Sequence, residues 1–140
     1  MEHVNFNFQI LPILIGLSGV IVLALLRNRI PINSFLRSFW LSGFIFFGLY
    51  FLLMLTVTIY DTYVWIDYQS YDLDKSGNIE GFERTEEWEK AMKNVVNDTA
   101  RSLAFITTAI ISFIFSLFVL IISLIRSYLK RKNNKEFNVA

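Results

Sequence analysis

The sequence predicts an all-α membrane protein built on three transmembrane helices, and three observations carry that expectation. Hydrophobic residues make up 54% of the chain and the mean hydropathy is +0.47, above the usual share of a soluble domain. The apolar residues fall in three uncharged blocks, 10–26, 39–60 and 103–125, each close to the ~20 residues that a helix needs to cross the hydrocarbon core. The charges are also segregated. Residues 61–101 carry ten acids against five bases, whereas 27–37 and 126–136 together carry eight bases and one acid. That division fits a protein with two distinct sides better than it fits nucleic-acid binding. With no cysteine in the chain, disulfide frameworks, thiolate metal sites and cysteine nucleophiles are excluded.

The first apolar block follows Glu2 and His3, where a signal peptide would place positive charge, and no small-residue cleavage site follows it. A retained helix is expected, with Phe6 and Phe8 extending it at the interface. Pro12 is expected near its start, where a missing N–H is harmless. Gly16 and Gly19 thin one face and allow a neighbouring helix to come close. Pro31 should stop this helix, with Asn33 or Ser34 capping the next. The second block is rich in Phe and is bounded by Trp40 and Tyr60, as interfacial aromatics tend to be. Past Tyr60 no Pro or Gly appears before Gly77, and residues 60, 64, 68 and 71 keep helical spacing. The second helix should therefore continue out of the bilayer.

At its end stands Asp72-Leu-Asp-Lys-Ser-Gly-Asn-Ile-Glu-Gly-Phe-Glu83. Oxygen-bearing side chains occupy places one, three, five and nine, with Gly77 at the sixth and Glu83 at the twelfth. A hard cation needs six to eight oxygens on a small sphere, and this spacing could wrap one loop around it. The stretch resembles an EF-hand loop, with Ser76 a departure where Asp or Asn is commoner. The resemblance covers residues 61–98, where Tyr68 and Tyr71 fill aromatic places before the loop. It implies Ca²⁺ as cofactor, held by Asp72, Asp74, Ser76, the Asn78 carbonyl, Glu80 and both carboxylate oxygens of Glu83. It also implies a sharp left-handed turn at Gly77 and a strand edge at Ile79 that would pair with a second copy or a partner.

After Glu83, Trp88, Met92, Val95, Val96 and Thr99 form a narrow apolar stripe on a charged helix. Thr85 followed by Glu86 and Glu87 reads as its start. From Thr85 to Lys132 there is no helix breaker, so this helix should run, with a bend near Asn97-Asp98, into the third block. There Ala100, Ala104, Thr108, Ser112 and Ser116 recur every four residues, a single face suited to close helix contact. The polar tail beyond Lys132 is expected to be disordered.

The expected organisation is transmembrane helices one and two over 1–60, an extracytoplasmic EF-hand-like helix-loop-helix over 61–102, and helix three with a basic cytoplasmic tail over 103–140. Both basic segments fall on one side of such a topology, which the positive-inside tendency makes cytoplasmic. The sole histidine is His3, and the three apolar blocks contain no Asp, Glu, Lys or Arg, so proton relays, ion pathways and an active site are not expected. The expected function is an integral-membrane, non-enzymatic calcium-binding protein that couples occupancy of the loop to helix packing. The alternative is an accessory, structural subunit of a larger membrane complex in which Ca²⁺ only staples the hairpin. Expected partners are the lipid bilayer and either further copies of the chain or a membrane-protein complex, with no nucleic acid or small-molecule substrate.

Overall fold

A computed structural model describes residues 6–31, 35–73, 79, 81–96 and 103–137, with side chains between Ile10 and Lys130. Among the described residues every regular element is helical. Helix α1 spans Phe6–Leu26 and tightens into a 3₁₀ turn at Arg27–Arg29. Ile30 then leaves in an extended conformation, φ −97° and ψ 119°, because the ring of Pro31 crowds the helical region for the residue before it. Pro12 lies inside α1 rather than at its start. The helix begins at Phe6, so the ring removes the N–H that the Phe8 carbonyl would otherwise accept.

Helix α2 runs unbroken over Leu36–Gln69, 34 residues. At 1.5 Å per residue it is ~51 Å long, well beyond a hydrocarbon core of ~30 Å, so one end projects past the bilayer as the spacing beyond Tyr60 predicts. Asn33 and Ser34, the expected caps, lie outside the described residues, and Phe35 leads into the helix with no side-chain cap bond. At the other end the Ser70 N–H reaches the Ile66 and Asp67 carbonyls, at 3.0 and 3.1 Å.

Helix α3 covers Glu86–Val96. The Trp88 N–H donates to Thr85 Oγ1 at 3.2 Å, so Thr85 is the N-cap, and Glu86, Glu87 and Glu89 complement the positive end of the helix. Its covered line is Trp88, Ala91 and Val95 rather than the full apolar stripe, since Met92 and Val96 are exposed. Residues 97–102, including the expected bend at Asn97-Asp98, lie outside the described residues. Helix α4 spans Ala104–Phe137. The backbone stays helical past Lys132 to Phe137, where disorder was expected, since Lys135 and Glu136 are good helix formers and no Gly or Pro interrupts the stretch.

Three of these helices are long and apolar enough to cross a membrane, over Ile10–Arg29, Leu36–Gln69 and Ala104–Lys130. The arrangement is that of a multi-pass membrane protein. Helix α2 is central, in contact with α1, α4 and α3. Against α1 the two glycines of the sequence pattern are the points of closest approach. A Cβ at Gly16 would stand 3.0 Å from Phe51 Cα, and one at Gly19 would overlap the Phe47 ring. The Trp40 indole N–H donates to the Leu23 carbonyl at 2.6 Å, which satisfies one of the last four carbonyls of α1.

Candidate functional site

Two features organise the chemistry of this chain: a line of hydroxyls between α2 and α4, and the turn that links α2 to α3. The small-residue face of α4 is buried as its four-residue spacing predicts, with Ala104, Thr108 and Ser116 6–7% exposed and Ser112 fully enclosed. Ala100 lies outside the described residues. On α2 the complementary buried residues are Ser38, Ser42, Tyr50 and Met54, also separated by multiples of four. That spacing was the available signal for the α2 half, and the density of Phe around it hid it.

The hydroxyls bond across the helices. Ser42 Oγ donates to the Ser116 carbonyl at 2.8 Å, Ser116 Oγ donates to the Ser42 carbonyl at 3.0 Å, and the two oxygens are 2.6 Å apart. One to three turns away, Ser123 Oγ lies 2.8 Å from Ser38 Oγ, which is 3.4 Å from Ser127 Oγ. Thr108 instead turns back to the Ala104 carbonyl of its own helix, at 2.6 Å. Ser112 Oγ is buried without a hydrogen-bond partner among the described residues. Where lipid removes the hydrophobic drive between helices, close backbone approach and such bonds are what hold spans together. Apart from Ser112, the described hydroxyls of the seam bond to one another or to main chain.

The turn corrects the largest expectation from the sequence. Among the described residues of 72–83 no EF-hand loop is formed. Among the described residues no group of three or more Asp, Glu, His or Cys side chains is assembled to hold a metal ion. Of the six expected ligands, Asp74, Ser76, Asn78 and Glu80 lie outside the described residues, and so does Gly77. Asp72 is half-buried and Glu83 is 4% exposed. Glu83 Oε1 accepts the Leu73 N–H at 2.8 Å, so the carboxylate expected to close a cation site ties the two sides of the turn together. The described left-handed residue is Gly81, φ +54°, at the head of the 3₁₀ turn Gly81–Glu83. The Ile79 carbonyl, expected at an edge for a partner strand, accepts Arg84 Nε at 3.2 Å. The Arg84 guanidinium also lies 5.7 Å above the Trp88 ring, a cation–π contact that holds the turn to the start of α3. Oxygen spacing records which residues could converge, whereas the described side chains of the turn, Glu83 and Arg84, are engaged by main-chain groups.

Beside the turn, the Tyr71 phenol is pushed above its ordinary value by desolvation and, secondarily, by the charges of Asp67 and Glu87. The outer ends of α2 and α3 thus share an acidic neighbourhood.

No protein-family model, EF-hand or other, matches the chain, and neither does a curated protein or a solved structure.

Proposed function

We propose that this chain is a non-enzymatic, structural subunit of a membrane assembly, in which a fixed three-helix base presents the α2–α3 turn outside the bilayer. The observation that carries this reading is the reciprocal Ser42–Ser116 bonding. Ser42 and Ser116 hold α2 against α4 within the spans, and the apolar blocks contain no Asp, Glu, Lys, Arg or His for transport or catalysis. Because α2 is one helix from the seam to Gln69, the turn inherits the orientation that the seam sets. The basic residues Arg27, Arg29 and Arg37 and the stretch after Ile125 belong to the cytoplasmic side by the positive-inside tendency, which leaves the turn extracytoplasmic.

The outward faces of the spans would meet lipid and the rest of the assembly. A photo-reactive phenylalanine analogue at Phe113 or Phe118, both exposed on α4, tests this in native membranes. The expected result is a discrete protein adduct, whose mass separates a second copy of this chain from another subunit. Lipid adducts alone, from both positions, would contradict a role in an assembly.

A further inference from the structure

The 3₁₀ turn after α1 and the first turn of α2 enclose a cavity of about 310 Å³ lined by Arg27, Asn28, Ile30, Arg37 and Trp40. That volume is at the small end of ligand pockets. Two guanidinium groups and one carboxamide line it together with an indole face. The indole is fixed on two sides, by its N–H bond to the Leu23 carbonyl and by stacking on Phe44 with ring centroids 5.5 Å apart. Part of the lining is therefore rigid and apolar, and two of the lining residues, Arg27 and Arg37, are cationic.

The charge is not compensated locally. Between His3 and Tyr60 the chain has no Asp or Glu. The nearest element from elsewhere in the chain adds more cations. Ser38, one residue after Arg37, is within bonding reach of Ser123 and Ser127 on α4, and Arg126 and Lys130 flank that position. Among the described residues neither Arg27 nor Arg37 makes an ion pair. A guanidinium presents a planar fork that matches a phosphate and binds it through two N–H bonds at once. The pocket also lies where an apolar helix end gives way to charged residues, the level at which lipid headgroups sit and at which basic pockets between spans hold them.

We propose that this cavity binds the phosphate of an anionic phospholipid, with Arg27 and Arg37 on the phosphate oxygens and the Trp40 ring against the glycerol and upper acyl chain. The site is independent of the turn at Glu83 and of any assembly. It would make the packing of α1 on α2 sensitive to the lipid composition of the membrane, since its walls come from α2 and from the turn that directly follows α1.

The test uses the full chain with Trp65→Phe and Trp88→Phe, which leaves Trp40 as the only indole, in vesicles containing acyl-chain-brominated lipid at low mole fraction. Brominated phosphatidylglycerol should quench Trp40 on the order of tenfold more effectively than brominated phosphatidylcholine, as two arginines near a surface imply. The preference should disappear in the Arg27→Gln/Arg37→Gln variant, whose fold is checked by helical circular dichroism. It should persist when millimolar inorganic phosphate is added. Equal quenching by the two lipids, or a preference that survives the double substitution, would overturn the proposal. Displacement by inorganic phosphate would overturn the lipid as occupant and identify a site for a soluble anion.

Discussion

Ser42 on α2 and Ser116 on α4 each hold the other's main-chain carbonyl, with hydroxyl oxygens 2.6 Å apart. Two protons serve three short contacts, so at any moment either both carbonyls are bonded or one hydroxyl bonds the other. Every arrangement keeps the helices at the same separation. Replacing Ser42 with Ala removes one donor and one acceptor. It should weaken the bundle by about 1 kcal/mol, within the range that interhelical hydrogen bonds contribute in membranes. Ser112→Ala should be neutral or stabilising, because that hydroxyl is enclosed without a partner among the described residues and its removal relieves an unmet desolvation cost. Unfolding in mixed detergent, followed by circular dichroism, should rank Ser112→Ala at or above the parent and Ser42→Ala below it.

Gly16 and Gly48 should respond in opposite ways. A Cβ at Gly16 would meet Phe51 Cα at 3.0 Å, whereas one at Gly48 has nothing within 4 Å. Gly16→Val should therefore push α1 off α2, while Gly48→Ala should stabilise α2 by up to ~1 kcal/mol through helix propensity alone. Protease sensitivity of the α1–α2 connection in bilayers would rise for the first variant and not for the second.

At the turn, Gly81 has φ +54° with open space around it, so its requirement is conformational and not steric. Gly81→Ala should cost about 1 kcal/mol of local stability, and Gly81→Asn less, because Asn tolerates the left-handed region. Faster amide exchange between Gly81 and Val96, with α4 unchanged, is the expected signature.

Glu83 separates a main-chain clasp from a cation ligand. Its Oε1 accepts the Leu73 N–H, and an amide oxygen can do the same. Glu83→Gln should lose about 1 kcal/mol and Glu83→Ala up to ~3 kcal/mol, with the same ranking in calcium and in chelator. If the two substitutions were equally damaging, and only when calcium was present, the carboxylate would be acting on an ion.

What the sequence revealed and what it hid follow from how far apart the interacting groups lie. The spans, the length of α2, the Thr85 cap and the Ala104–Ser116 face are local patterns of period four or of uninterrupted apolar length, and they are legible one helix at a time. The approach of Phe47 and Phe51 to Gly16 and Gly19 was half legible, since glycine shows where room exists and not what fills it. Ser38 and Ser42 were missed because their four-residue spacing is masked by the surrounding Phe, and a spacing does not name a partner that lies 74 residues away, as Ser116 does from Ser42. The turn misled for the opposite reason. Its oxygen spacing is a strong local pattern, yet the Glu83–Leu73 and Arg84–Ile79 bonds depend on main-chain geometry that residue types alone do not specify.

The Ser42–Ser116 contact joins the second and third spans. The chain contains no cysteine, so a Ser42→Cys/Ser116→Cys pair can be oxidised in native membranes without competing thiols. Side-chain oxygens 2.6 Å apart put the two Cβ atoms within reach of disulfide geometry, ~3.5–4.5 Å. Rapid and nearly complete intrachain disulfide formation is expected for this pair, and none for Ser42→Cys with Phe115→Cys, whose α4 position is exposed on another face. Equal crosslinking of both pairs, or no intrachain product from the Ser42–Ser116 pair, would contradict that contact.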